Sequence, residues 1–114
     1  MKRGDKAYLL HILDAVMQIQ TYTVHGKNDF FSSRLVQDAV IRNLEIIGEA
    51  TKNLSPTLRE RQLGLPWKQM AGLRDVLIHP YFGSNLETVW LVVENRLPVL
   101  LEAVQSLLAD EAPE

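Results

Sequence analysis

Apolar residues recur along this chain at three- and four-residue steps, the period of helices that bury one face. Tyr8, Ile12, Ala15, Ile19 and Tyr22 form the first such row, widened by Leu9, Leu13 and Val16, and predict a helix over 5–23. The Gly, Asn and Asp of 24–29 read as a turn, with His25 exposed. Ser32 or Ser33 can cap a second helix running to about residue 54. Val36, Val40, Ile47 and Leu54 mark its apolar row, with Leu44 and Ala50 beside them. Gly48, which costs about 1 kcal/mol against alanine in mid-helix, allows another backbone to approach. Ser55-Pro56 opens a short helical turn over 57–61. Pro66 opens another helix, expected to run to near Ile78 with Met70, Leu73 and Leu77 inward.

The last helix follows a cap at Ser84 or Asn85. Leu86, Trp90, Val93, Leu97, Leu100, Val104 and Leu107 keep heptad-like register through it. Register survives Pro98, so the spacing predicts a kink there rather than a change of direction. The tail from Asp110 is expected to fray. Four principal amphipathic helices with short connections predict an all-α antiparallel four-helix bundle, with an extra short helix and a kinked last helix. The 114 residues form one domain, 1–114, with no repeat or linker to divide it.

Composition removes several classes of function. There is no cysteine, and His11, His25 and His79 lack metal-ligand spacing, so neither metal nor cofactor is expected. The N-terminus is not a signal peptide, and no apolar run approaches the roughly 20 residues that span a bilayer. A cytoplasmic protein with no membrane partner is expected. The formal charge of −2 argues against broad coating of nucleic acid. Charge is uneven, however: Lys52, Arg59, Arg61, Lys68 and Arg74 face a single acid, Glu60, over the same stretch. That run is either a local basic rim able to attract RNA or a set of ordinary solvated side chains. Trp67 serves as a core anchor or as a surface for base stacking.

The stretch with candidate chemistry is Arg74-Asp75-Val76-Leu77-Ile78-His79-Pro80-Tyr81. Pro80 disfavours helical backbone at His79 and places it, extended, at a helix C-terminus. Tyr81 then projects to the same side as His79. On an unbroken helix Arg74 and His79 would be about 140° apart; the break frees the imidazole to turn towards Arg74 or towards a second subunit. Such a trio suits RNA cleavage, because RNA carries its own nucleophile in the 2′-hydroxyl. Histidine moves protons near neutrality, and arginine's planar fork matches phosphate oxygens. The plainer reading is a His-Pro cap and a surface ion-pair former. Arg42, Glu45 and Glu49 share one helix face, as a solvated ion-pair row or as a polar strip beside the cleft.

Arg74, four residues, then His79-Pro80-Tyr81 resembles the Arg-x4-His-x-Tyr signature of the HepT toxins, small helical ribonucleases of the HEPN superfamily. The stretches 37–50, 65–67 and 73–75 are similar to that family in order and spacing. The resemblance implies a homodimer in which both Arg–His pairs face one cleft. It implies that Arg74 binds the scissile phosphate and that His79 is general acid or base. Asp75 either supports one of these groups or is a surface charge. The substrate would be tRNA or mRNA. The resemblance further implies a type VII toxin–antitoxin pair, in which an MntA-type minimal nucleotidyltransferase antitoxin transfers AMP to Tyr81. Adenylate there would place bulk and negative charge against the cationic site. The alternative is a non-catalytic helical adaptor, or a nucleotide-binding partner of a nucleotidyltransferase.

Overall fold

A computed structural model describes residues 4–62, 64–65, 67–72 and 86–110, and these are all helix, turn and cap. The elements are α1 (Asp5–Tyr22), α2 (Lys27–Ser32), α3 (Arg34–Lys52), α4 (Pro56–Glu60), α5 (Trp67–Ala71), α6 (Leu86–Leu91) and α7 (Leu97–Asp110), with a π-helical turn, Val92–Arg96, joining the last two. α1 packs along α3 and α7; α3 also meets α5 and α2, and α2 meets α6. No described helix is long and apolar enough to cross a membrane.

The core of α1 lies slightly off the expected row. Leu9, Ile12, Val16 and Ile19 are fully buried, whereas Tyr8 is half-buried and Tyr22 exposed. Each tyrosine carries a hydroxyl that is costly to bury unbonded, which favours the aliphatic row as the one that turns inward. At the start of α1, Asp5 is only 3% exposed. Its carboxylate accepts from the Ser55 backbone N–H at 2.9 Å and from the Ser55 hydroxyl at 2.6 Å. Ser55 Oγ in turn accepts from Leu58 N–H and caps α4. The first turn of α1 thus meets the end of α3, so the two helices run antiparallel.

The turn expected over 24–29 is partly a helix. Gly26, at φ 88° and ψ −170°, adopts a backbone conformation open essentially to glycine only, and α2 begins at the next residue. Phe30 is fully buried, with ring centroids 5.1 Å from Phe31 and 5.3 Å from Trp90. Gln37 of the following helix donates through Nε2 to the carbonyls of Phe30 and Phe31, at 3.0 and 3.3 Å. Carbonyls at a helix end that lack internal partners are thereby satisfied from outside. Six residues of helix were invisible to periodicity because their support comes from a residue beyond the helix.

Ser33 caps α3, its hydroxyl accepting from Val36 N–H at 3.2 Å. Val40, Leu44 and Ile47 are fully buried, with Leu54 beyond the helix end at 2%; Val36 is half-buried. Thr51 is buried too, its hydroxyl bonded to Ile47 O at 2.7 Å. Trp67 is 8% exposed and donates from Nε1 to Gln62 O at 2.8 Å, so its role is to tie α5 to the end of α4. In the last helix a π turn, which contributes no buried residue, ends two residues before Pro98, where the kink was expected. Pro98 has no N–H for the carbonyl four residues earlier and its ring crowds that carbonyl; a widened turn just before it relieves both. Leu97, Leu100, Val104 and Leu107 then bury as expected.

Candidate functional site

Arg74, Asp75, His79 and Tyr81 all lie outside the described residues. The structure does describe the elements on either side of them in the chain. α5 ends at Ala71, with Gly72 N–H donating to Lys68 O at 3.0 Å, and Trp67 and Met70 anchor it in the core. α6 begins at Leu86, anchored by Val89 and Trp90.

Two of the grooves among the described residues are lined by basic side chains. The first, about 330 Å³, lies between α1 and α3 and is lined by Tyr8, His11, Arg42, Glu45, Ile46, Glu49 and Ala50. The polar row of α3 therefore forms one wall of a groove rather than an open solvated face. Arg42 Nη1 lies 3.8 Å from Glu45 Oε2 one turn later; the Arg42 side chain is 71% exposed and that of Glu45 is 25%. This leaves most of the guanidinium open to a ligand while one carboxylate steadies it. The opposite wall was missed by sequence reasoning. His11 is exposed, as expected, yet its ring stands edge-on to Tyr8 with centroids 6.0 Å apart and faces the same groove. The signal was the three-residue spacing of two polar-tipped rings on one helix.

The second groove, about 540 Å³, lies between α4 and α5 and is lined by Pro56, Arg59, Glu60, Trp67, Lys68 and Ala71. The expected basic rim is narrower than the sequence suggests. Arg61 pairs with Asp110 of α7 at 3.3 Å and so joins two helices. Lys52 is exposed on α3, and Arg59 and Lys68 face the second groove. No cluster of three or more metal-type ligands occurs among the described residues.

Comparison with known proteins now decides the family. Residues 12–107 match the model of the HepT-like ribonucleases. The chain belongs to the HepT-like ribonuclease family. A Methanocaldococcus jannaschii protein whose name joins a gamma-glutamylcyclotransferase to a candidate RNase is 44% identical over 96% of this chain, and the chain spans half of that protein's length. A candidate RNase of the same archaeon is 38% identical, over 91% of this chain and 96% of its own. A protein of Thermococcus cleftensis named a probable ribonuclease HepT is 42% identical, over 88% of this chain and 92% of its own. No solved structure matches. Membership places this HepT-like chain among ribonucleases. The matched span includes the whole Arg74–Tyr81 motif and the polar row of α3, and Tyr8 and His11 stand just before it.

Proposed function

We propose that this HepT-like protein is a metal-independent endoribonuclease, the toxin of a toxin–antitoxin pair. The observation that carries the reading is the family match across residues 12–107, which contains the complete Arg-x4-His-x-Tyr pattern at Arg74, His79 and Tyr81. In the proposed reaction the 2′-oxygen attacks its neighbouring phosphorus as the 2′-proton leaves to a base. The bond from phosphorus to the 5′-oxygen breaks, and that oxygen receives a proton from an acid. Two protomers meeting at one cleft supply two copies of His79, one for each proton. Arg74 neutralises the charge that accumulates on the phosphorane, where a planar fork of donors fits two oxygens at once. Asp75 orients one of these groups. No metal is needed, because the nucleophile is already held beside the phosphorus.

Control is proposed to act on the same site. A nucleotidyltransferase antitoxin transfers AMP to the Tyr81 hydroxyl, and the added phosphate competes with RNA for Arg74. The rival reading, a helical adaptor without catalysis, draws on the net charge of −2. The ends of the cleaved RNA separate the two. Purified protein incubated with tRNA or mRNA in EDTA is expected to leave 2′,3′-cyclic phosphate ends. New 3′-hydroxyl ends would exclude 2′-oxygen attack, and intact RNA would favour the adaptor. Mass spectrometry of Tyr81 after co-expression with the antitoxin is expected to show one added AMP; an unmodified tyrosine in a fully neutralised pair removes that part of the proposal.

A further inference from the structure

The segment 52–72 carries Lys52, Arg59, Arg61 and Lys68 against Glu60, a net +3, which leaves −5 on the remainder of a chain whose total is −2. Lys52 lies on α3 and Arg61 is paired with Asp110, so the charge left around α4 and α5 is Arg59 and Lys68 against Glu60, on a chain that is net negative elsewhere. Two of these cations, Arg59 and Lys68, line the α4–α5 groove, and neither makes an ion pair among the described residues. Arg59 is half-buried, and its Nε is fully withdrawn from water without a hydrogen-bond acceptor. A guanidinium partly removed from water, with no carboxylate bonded to it among the described residues, is screened less than a surface charge and attracts an anion more strongly. Arg61, by contrast, is paired with Asp110.

The groove is also held in shape. Ser55 caps α4 and is itself gripped by Asp5, while the Trp67 indole N–H is bonded to Gln62 O at the far end of α4. The spacing between Arg59 and Lys68 is therefore set before any ligand arrives, which reduces the ordering cost of binding. Pro56, Trp67 and Ala71 add apolar surface to the groove. Cations flanking an apolar floor match a single strand, whose backbone is anionic and whose bases are free to lie against apolar surface; in a duplex those bases are stacked away.

We propose that the α4–α5 groove docks the phosphodiester backbone of single-stranded RNA, with Arg59 and Lys68 each holding a phosphate. The ligand class rests on the ribonuclease reading. Arg74 follows Ala71 by three residues in the chain. Arg59 and Lys68 act in this scheme as binding residues, not catalytic ones. Glu60, which also lines the groove, opposes the ligand and weakens it.

Fluorescence anisotropy on the full chain tests this, using a labelled single-stranded oligodeoxynucleotide that lacks the 2′-hydroxyl and stays intact. The Arg59→Gln/Lys68→Gln double variant is expected to raise Kd about tenfold at low salt and to lower the slope of log K against log[salt] by about 1.4, at roughly 0.7 for each phosphate no longer neutralised. Lys68→Gln alone, at an exposed position that folding does not depend on, is expected to raise Kd about threefold. Glu60→Gln is expected to tighten binding about twofold. A charge-matched control, Lys27→Gln/Arg34→Gln, removes two cations elsewhere and is expected to change Kd less than twofold. Equal weakening in the groove variant and the control would overturn the proposal. So would tighter binding of poly-L-glutamate than of the oligonucleotide, which would point to an acidic protein surface. RNA cleavage is scored separately: weaker oligonucleotide binding in the groove variants without any wild-type cleavage sinks the nuclease reading and leaves the groove. Normal cleavage with unchanged Kd and KM in the variants sinks the groove alone.

Discussion

Replacing Asp5 tests whether one buried carboxylate holds three helices in register. Asp5 is 3% exposed and accepts two hydrogen bonds from Ser55, fifty residues away, at 2.9 and 2.6 Å. Bonds to a charged group contribute about 1.5–3 kcal/mol each, and Asp5→Ala also strands the Ser55 backbone N–H. The two bonds are not independent, so the expected loss is about 3 kcal/mol, a large share of the roughly 5–15 kcal/mol typical of a domain. In urea the midpoint should fall with little change in slope. Ser55→Ala removes the hydroxyl bond and the α4 cap but leaves the backbone bond, and should cost about 2 kcal/mol. The double variant then isolates the coupling between Oδ2 and Oγ, expected at about 1–2 kcal/mol. A coupling below about 0.3 kcal/mol, or an Asp5→Ala loss under about 1 kcal/mol, would refute the view that this link carries the α1–α4 junction. The same variant is expected to weaken oligonucleotide binding, because α4 presents Arg59.

Phe30→Ala removes a fully buried ring packed between Phe31 and Trp90 and is expected to cost about 3–5 kcal/mol, read by thermal melting and by a shift in tryptophan emission. Gly26→Ala is expected to cost about 1–3 kcal/mol in the same melt from backbone strain alone, since φ 88° with ψ −170° is open essentially to glycine only and a Cβ would meet nothing within 4 Å. Arg42→Ala breaks an exposed ion pair, so the melting free energy should move by less than about 0.5 kcal/mol; a large fall in RNA cleavage at unchanged stability would assign the α1–α3 groove to the reaction.

The elements most legible in the sequence are those whose support lies within themselves. The cap of α3 at Ser33 and the Ser55-Pro56 start of α4 were readable because the capping group and its target are three residues apart. The buried faces of α3 and α7 followed from spacing alone. α2 was not readable, since Gln37 and Trp90, which stabilise it, lie in other elements. The inward drift of the α1 stripe follows the cost of burying tyrosine hydroxyls unbonded, which an apolar count does not register. At the α1–α3 groove, the α3 polar wall was evident from periodicity, but the Tyr8–His11 wall depends on how two helices meet. Asp5 reads from sequence as an ordinary first-turn acid, and only its partner fifty residues on reveals what it does.

Single-turnover cleavage of RNA in EDTA, measured for the wild-type protein and for Arg74→Ala and His79→Ala at matched folded concentration, tests the central claim most directly. The account predicts metal-independent cleavage that falls by roughly 10²–10⁴-fold in each variant, the range that a missing proton-transfer or charge-stabilising group accounts for. Wild-type rates in either variant would contradict it and would return the Arg-x4-His pattern to a helix cap beside a surface charge.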